Sequence, residues 1–259
     1  MKVVLFCGGL GTRLREHTET IPKPMVNIGQ RPMLWHLMKY YSHFGHNEFI
    51  LCLGHMGEQI KQYFINYAEW ASNDFQLSGT SNEIHLFNRD IADWKITFAD
   101  TGSNASIGQR LRAVRHYLEP DASFLANYSD GLSNLPLDDY LDFFQRRDKI
   151  ASFVRVRPES SFHAVTAQDD HVVNDIFPSS KSDIWINGGF FAFKQEIFDY
   201  IGEDEDLVEE PFRRLIAEQQ LLAYPHKGFW ACMDTYKDKK AFDDREARGD
   251  MPWQLWKSP

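Results

Sequence analysis

Long apolar runs are missing from this 259-residue sequence. No stretch approaches the ~18 residues of a membrane-spanning helix, and the apolar residues before Cys7 are too few for the core of a signal peptide. Cysteine is scarce as well. Cys7, Cys52 and Cys232 lie far apart, which argues against a disulfide framework and against a zinc site. We therefore expect a cytoplasmic protein that has no membrane partner.

Positive charge is in deficit, because 28 Lys and Arg stand against 37 Asp and Glu and give a formal net charge of -9. This balance argues against a nucleic-acid partner, which would require clustered basic residues. Any anionic ligand must then be bound by a few local cations. The length fits one α/β domain with an insertion or a domain and a half, and we expect a single domain over residues 1–259.

A glycine-rich turn follows the apolar run 3–6, which is typical of a strand buried on both faces of a parallel sheet. Backbone N–H groups are left uncovered for an anion at three glycines, Gly8, Gly9 and Gly11. Thr12 and Arg13 add a hydroxyl group and a cation, and this combination suits a phosphate group. A plain tight turn is the alternative, because the spacing matches neither the P-loop nor the dinucleotide fingerprint.

A second cation, Lys23, lies between Pro22 and Pro24. The two prolines fix the backbone on both sides and predict a stiff loop rather than a helix. The loop follows the glycine turn by about ten residues, so Lys23 is a candidate to contact the same phosphate chain. A solvated loop lysine is the alternative.

Strand and helix patterns alternate after this loop. Apolar residues at helical spacing predict a helix over 33–44, and the run 49–53 indicates the next buried strand. This alternation predicts an α/β fold: a Rossmann-like, mostly parallel sheet flanked by helices, with its ligand at the carboxyl ends of the strands. Residues 68–98 interrupt the alternation with a pattern typical of hairpin strands. We expect this small β-hairpin insertion to be a subunit contact in a homo-oligomer.

Two further expectations concern packing near the carboxyl terminus. A helix that begins near residue 209 is expected to turn Phe212, Leu215, Ile216 and Leu222 toward the core. The tail after residue 248 is expected to be peripheral.

Asp130 follows the predicted strand 123–127 and precedes a glycine. A carboxylate in that place suits Mg²⁺, which prefers carboxylate and phosphate oxygens. One carboxylate binds the ion weakly, and the partner that we expect is Asp234, since two acidic residues from distant strands can hold one metal against a triphosphate. The alternative is that Asp130 caps a turn and Asp234 caps the helix that begins near Tyr236.

Asn187 and Gly188 follow another predicted strand, where the amide side chain offers both a donor and an acceptor to a hydroxyl-rich ligand. A simple bulge is the alternative at this position.

Several motifs, taken in order, resemble one family. Gly8-Gly-Leu-Gly-Thr-Arg-Leu14 with Pro22-Lys-Pro-Met25 resembles the signature of the sugar-1-phosphate nucleotidyltransferases, and residues 32–41 are similar to relatives of glucose-1-phosphate cytidylyltransferase. The likeness runs nearly end to end, through Tyr128-Ser-Asp-Gly131, Ile186-Asn-Gly-Gly-Phe-Phe191, Gly228-Phe-Trp230, Met233-Asp-Thr235 and Pro252-Trp253.

The resemblance implies roles for individual residues. The Gly8–Thr12 backbone and Arg13 would bind the β- and γ-phosphates of the nucleotide, Lys23 the α-phosphate, and Asp130 with Asp234 the Mg²⁺. Arg110 matches the arginine after the family's Gly-rich loop and is expected to reach a phosphate, whereas its neighbours Arg112 and Arg115 are expected on a solvated face.

On the acceptor side the sequence departs from the family. Residues 174–178 replace a Glu-Lys-Pro motif whose lysine binds the phosphate of the sugar phosphate, and Phe177 stands near the place of that lysine. Lys181 could replace the cation, or the acceptor could differ from an ordinary hexose 1-phosphate. Glu210 matches a family glutamate near the sugar, although a carboxylate at a helix N-terminus is equally expected for the helix dipole.

The resemblance implies transfer of the nucleotidyl group of CTP to a phosphorylated acceptor, such as glucose 1-phosphate, with release of pyrophosphate. Two rivals stay open at this point. The same chemistry could serve another nucleotide or acceptor, or the chain could be a nucleotide-binding regulatory protein without activity. The presence of Arg13, Lys23 and both aspartates argues against the regulatory role, because a sensor would not need both metal carboxylates.

Overall fold

The structure is a computed structural model that describes residues 1–9, 20–158, 163–169, 172–178 and 182–256. The strands are β1 (Val3–Phe6), β2 (Asn27–Ile28), β3 (Arg31–Pro32), β4 (Glu48–Leu53), β5 (Phe75–Leu77), β6 (Ile84–Leu86), β7 (Lys95–Asp100), β8 (Ser123–Tyr128), β9 (Gly131–Ser133), β10 (Ala151–Val156), β11 (His163–Ala167), β12 (Val173–Pro178), β13 (Ile186–Asn187), β14 (Phe191–Lys194), β15 (Leu221–Pro225) and β16 (Trp230–Cys232). The α-helices are Met33–His43, Gly57–Ile65, Ile107–Ala113, Arg115–Leu118, Leu137–Arg147, Glu210–Ala217 and Tyr236–Ala247.

The central sheet has eight strands in the order β13-β10-β14-β8-β1-β4-β7, with β15 paired to β10. β1 pairs in parallel with β4 and β8, and β7 continues the parallel set. β14 runs antiparallel to both β8 and β10. The predicted Rossmann-like, mostly parallel sheet flanked by helices is thus confirmed.

Alternation along β1 shows how this strand is buried on both faces. Val3 and Leu5 belong to one hydrophobic core, whereas Val4 and Phe6 belong to a second core on the other side of the sheet. The helix Met33–His43 packs into the first core through residues such as Leu34. A strand that is apolar at every position requires such cover on both sides.

The predicted insertion is a hairpin, in which β5 and β6 pair antiparallel. Its apolar side chains are exposed, with Leu77 at 56% and Ile84 at 49% of full exposure. Among the described helices, none has the length and apolar character that a membrane crossing requires.

Several local expectations were wrong. Ile216 is 62% exposed, because it lies on the solvent side of the helix Glu210–Ala217, and Leu222 belongs to β15 rather than to that helix. The tail is not peripheral, since Trp253 is fully buried in the first core. The segment Lys23–Met25 forms one turn of 3-10 helix instead of a loop. A proline is tolerated there because the first N–H groups of a helix need no internal partner.

Candidate active site

The ends of neighbouring strands meet at one edge of the sheet. The register pairs Phe6 with Tyr128 on β8 and with Cys52 on β4, so the turn after β1 lies beside the segment that begins at Ser129. The hydroxyl group of Ser129 donates to the carbonyl oxygen of Phe6 at 2.7 Å and ties the two segments together. Gly8 and Asp130 are therefore brought to the same edge, as the strand pattern predicted.

A lysine lies between two aspartates at this edge. The Nζ atom of Lys23 is 2.6 Å from Oδ2 of Asp130 and 2.5 Å from Oδ1 of Asp234. Burial of the lysine lowers its pKa, but the charges and hydrogen bonds of the two carboxylates outweigh burial, and the net effect raises the pKa. Lys23 is consequently held as an ammonium ion, with only 12% of its side chain exposed.

Asp130 and Asp234 come together through a small antiparallel ladder. β16 pairs with β9 so that Cys232 lies opposite Gly131, and the N–H group of Met233 donates to the carbonyl oxygen of Asp130 at 2.8 Å. The helix Tyr236–Ala247 is capped by Thr235, whose side chain accepts from the N–H group of Asp238. The alternative role of Asp234 as the helix cap is therefore wrong, and its carboxylate points toward Lys23.

The two carboxylates form a donor set that suits Mg²⁺. One oxygen of each lies within 2.6 Å of the same nitrogen atom, so an ion near that place could contact both. Magnesium binds oxygen ligands at about 2.0–2.1 Å and takes its remaining ligands from water and phosphate. The residues present thus fit the ion.

Arg110 is buried beneath the glycine turn rather than exposed on the helix Ile107–Ala113. Its Nη2 atom donates to the carbonyl oxygen of Gly8 at 3.0 Å, and its Nη1 atom donates to the Thr101 hydroxyl group and to the carbonyl oxygen of Gly102, both at 2.8 Å. Burial lowers its pKa from the usual value. Arg110 therefore joins the turn after β1 to the loop after β7, and its contact with a phosphate stays a prediction.

A cavity of about 440 Å³ opens beside these groups. Its lining includes Gly8, Gly9, Lys23, Pro24 and Asp130. The remaining wall includes Phe6, Ala105, Ser106, Ile107, Arg110, Tyr128, Ser129 and Asp206. The size and the mixed lining suit a small polar ligand.

The structure brings only some of the residues predicted to bind the acceptor close to this cavity. Asn187 is not part of the cavity lining. Its Nδ2 atom donates to the hydroxyl group of Tyr128, which does line the cavity, at 3.4 Å. The carbonyl oxygen of Gly188 accepts from the indole of Trp230 at 2.8 Å. Glu210 begins its helix, does not line the cavity, and keeps both predicted explanations. Phe177 is in the hairpin of β11 and β12, opposite Ala164.

Four predicted site residues, Gly11, Thr12, Arg13 and Lys181, lie outside the described residues. Sequence reasoning missed Asp206, because it sits in an acidic run of residues 203–206 that resembles an ordinary solvated surface. It also missed the contact of Lys23 with both aspartates, since the sequence gives no distance between residues 107 and 211 positions apart.

Comparison with known proteins identifies the family of this chain. The model of the nucleotidyl transferase family matches residues 2–238. The chain is 37% identical over 258 residues to a probable glucose-1-phosphate cytidylyltransferase of Bacillus subtilis, covering 99% of this chain and 100% of the relative. It is 38% identical over 257 residues to the glucose-1-phosphate cytidylyltransferase of Salmonella typhi, with the same coverage. The chain therefore belongs to the nucleotidyl transferase family.

Solved structures support the fold alone. A UDP-glucose pyrophosphorylase complexed with UDP-glucose superposes with a TM-score of 0.69 at 14% identity, covering 96% of this chain and 98% of that one. HddC from Yersinia pseudotuberculosis, complexed with GMP-PN, gives a TM-score of 0.67 at 20% identity, covering 95% and 99%.

Proposed function

We propose that this nucleotidyltransferase joins the cytidylyl group of CTP to glucose 1-phosphate and releases pyrophosphate, forming CDP-glucose. The observation that carries the proposal is the ammonium group of Lys23 between Asp130 and Asp234, in a cavity that Gly8 and Gly9 also line. Full-length similarity to cytidylyltransferases supports the choice of substrates.

The reaction needs no protein nucleophile. A phosphate oxygen of glucose 1-phosphate attacks the α-phosphorus of CTP and forms the new P–O bond, while the bond to the β-phosphate breaks and pyrophosphate leaves with its electrons. The protein must align two anions that repel each other and stabilise the charge that develops on the α-phosphate. Lys23 is the cation that we propose for this task, and the N–H groups of Gly8 and Gly9 would bind the phosphates.

Mg²⁺ is the cofactor that we propose, bound by Asp130 and Asp234. When bound, the ion would supply positive charge that offsets the repulsion between the phosphates and the two carboxylates. Lys23 would contribute its ammonium group to the α-phosphate. Arg13 would bind the β- and γ-phosphates.

A different phosphorylated acceptor is the second candidate. The segment around Phe177 lacks the Glu-Lys-Pro motif, and β12 is largely exposed, with Ile176 at 62%. A phosphate dianion without its lysine would lose one charge-assisted contact, worth ~1.5–3 kcal/mol. If glucose 1-phosphate is the acceptor, Lys181 or another cation would replace that lysine.

The test is magnesium-dependent pyrophosphate release from CTP, UTP, dTTP, ATP and GTP, each with glucose 1-phosphate and with other phosphorylated acceptors. We expect turnover with CTP and glucose 1-phosphate. Turnover with CTP and only another acceptor would favour the second candidate, and silence with every pair would contradict both.

The assembly and the location are also proposals. We propose that residues 1–259 act as one domain in a homo-oligomer, because the β5–β6 hairpin presents apolar side chains to solvent. A monomer by light scattering would contradict this assembly. The three cysteines are free thiols, which supports a reducing cytoplasm and can be checked by cell fractionation.

A further inference from the structure

The cavity has a carboxylate that the chemistry above does not use. Asp206 lines the cavity together with Tyr128 and Ser106. Its Oδ1 atom accepts from the N–H group of Val208 at 3.2 Å. Within the part of the chain that the structure describes, no cation pairs with this carboxylate, so one oxygen stays available to a ligand.

The backbone around Asp206 is fixed against the cavity wall. The hydroxyl group of Ser106 donates to the carbonyl oxygen of Glu205 at 2.8 Å, and Gly108 packs so closely on the same carbonyl that a side chain would not fit there. The carboxylate of Glu205 accepts from Arg214 and from the N–H group of Gly202. These contacts fix the backbone next to Asp206 against the cavity wall.

Charge limits what Asp206 can contact. A carboxylate repels phosphate, so we expect Asp206 to face a neutral part of the ligand that offers hydrogen-bond donors. Lys23, Gly8 and Gly9, which are the groups that we propose for the phosphates, line the same cavity. Three neutral parts are possible: the base, the ribose and the acceptor sugar.

The neighbours of Asp206 favour the sugar. Tyr128 lines the same cavity, and its hydroxyl group accepts a hydrogen bond from Nδ2 of Asn187. Burial raises the pKa of Tyr128, and the negative charge of Asp206 adds to that increase, so the phenol stays neutral. A carboxylate, a phenol and an amide together provide the donors and acceptors that a polyol requires.

We propose that Asp206 accepts a hydrogen bond from a hydroxyl group of the acceptor sugar and so helps to select that sugar. This inference rests on the proposed function, because it assumes a sugar phosphate in the cavity.

The test compares Asp206→Ser with the wild-type protein. A serine hydroxyl group can still accept from the N–H group of Val208, so the turn is kept while the carboxylate is removed. Glu203→Gln removes a charge from an exposed residue of the same acidic run and serves as the control. Calorimetry would measure binding of CDP-glucose and of CDP to each protein.

We expect Asp206→Ser to weaken CDP-glucose binding by about 10- to 100-fold and to leave CDP binding unchanged. Equal weakening of both ligands would place Asp206 on the nucleotide and overturn the inference, as would no weakening at all. A wild-type protein that binds neither ligand would overturn the proposed function and the inference together.

A second measurement identifies the hydroxyl group. The kcat/KM values of wild type and Asp206→Ser are compared for glucose 1-phosphate and each of its monodeoxy analogues. One analogue should lose activity with the wild-type protein and lose nothing further with the variant, since the two changes remove the same hydrogen bond. If the losses in kcat/KM from the variant and from the analogue are fully additive for every analogue, Asp206 accepts no hydrogen bond from a hydroxyl group of the sugar.

Discussion

The guanidinium group of Arg110 holds the backbone of Gly8 in place, with 3.0 Å between Nη2 of Arg110 and the carbonyl oxygen of Gly8. The same side chain also donates to the loop after β7, at Thr101 and Gly102. The planar guanidinium group carries several N–H donors in a fixed arrangement, so it can bind these separate oxygen atoms in set directions. The position of Gly8, just after β1, therefore depends on a residue that is 102 positions away in the sequence.

Adjacent glycines of this turn should differ in their tolerance of a side chain. A Cβ atom at Gly8 would overlap the guanidinium group of Arg110, whereas a Cβ atom at Gly9 would meet nothing within 4 Å. We expect Gly8→Ala to lower the free energy of unfolding by about 1–3 kcal/mol, in the range of overpacked sites. Gly9→Ala is the matched control and should change it by less than about 0.5 kcal/mol. Denaturant unfolding measures both, and equal losses would contradict the prediction.

Lys23→Ala should lower turnover by about 10²–10³-fold, because it removes a cation from the developing charge on the α-phosphate. Lys237→Ala, a change on the exposed face of the helix Tyr236–Ala247, is the control and should keep wild-type activity. Steady-state kinetics at saturating Mg²⁺, with circular dichroism to verify the fold, measures the effect. Near-normal activity of Lys23→Ala would remove this lysine from the mechanism.

Trp253 anchors the tail. Its ring packs against Phe229 and Phe242, and its indole N–H group donates to His36 at 3.4 Å. We expect Trp253→Ala to cost about 3–5 kcal/mol of unfolding free energy, as large core truncations do. Trp253→Phe keeps ring packing and should cost clearly less. If the two variants unfold at the same denaturant concentration, ring packing at this position is not what stabilises the tail.

His46 should make the protein less stable in mild acid. Burial, together with the nearby N-terminal ammonium group, lowers the pKa of His46 from 6.5 to about 4. The folded state therefore binds the proton less tightly than the unfolded chain, and the resulting stability is present above pH 6.5 and lost as the pH falls toward 4. His46→Gln should flatten the decline of the unfolding midpoint over this interval. His85→Gln, at an exposed histidine, should leave the decline as it is in wild type.

The local patterns predicted much of the fold. Apolar runs and helical spacing gave the strands around Leu5 and Leu51 and the helix Met33–His43, since burial on both faces of a parallel sheet leaves a readable pattern. The local pattern failed where the surroundings of a side chain are formed by residues that are distant in the sequence. Ile216 follows the helical spacing but faces solvent, and Trp253 lies in the carboxyl-terminal tail but is buried.

The sequence by itself determined the chemistry that is available: a glycine turn, a lysine between prolines and two aspartates after predicted strands, in an order that matches one family. Only the tertiary structure decided that Lys23 lies between Asp130 and Asp234, that Arg110 supports Gly8 from below, and that Asp206 faces the cavity. The physical reason is that composition and spacing specify the strands and turns, whereas distances between side chains at a sheet edge depend on strand order and register, which long-range pairing sets.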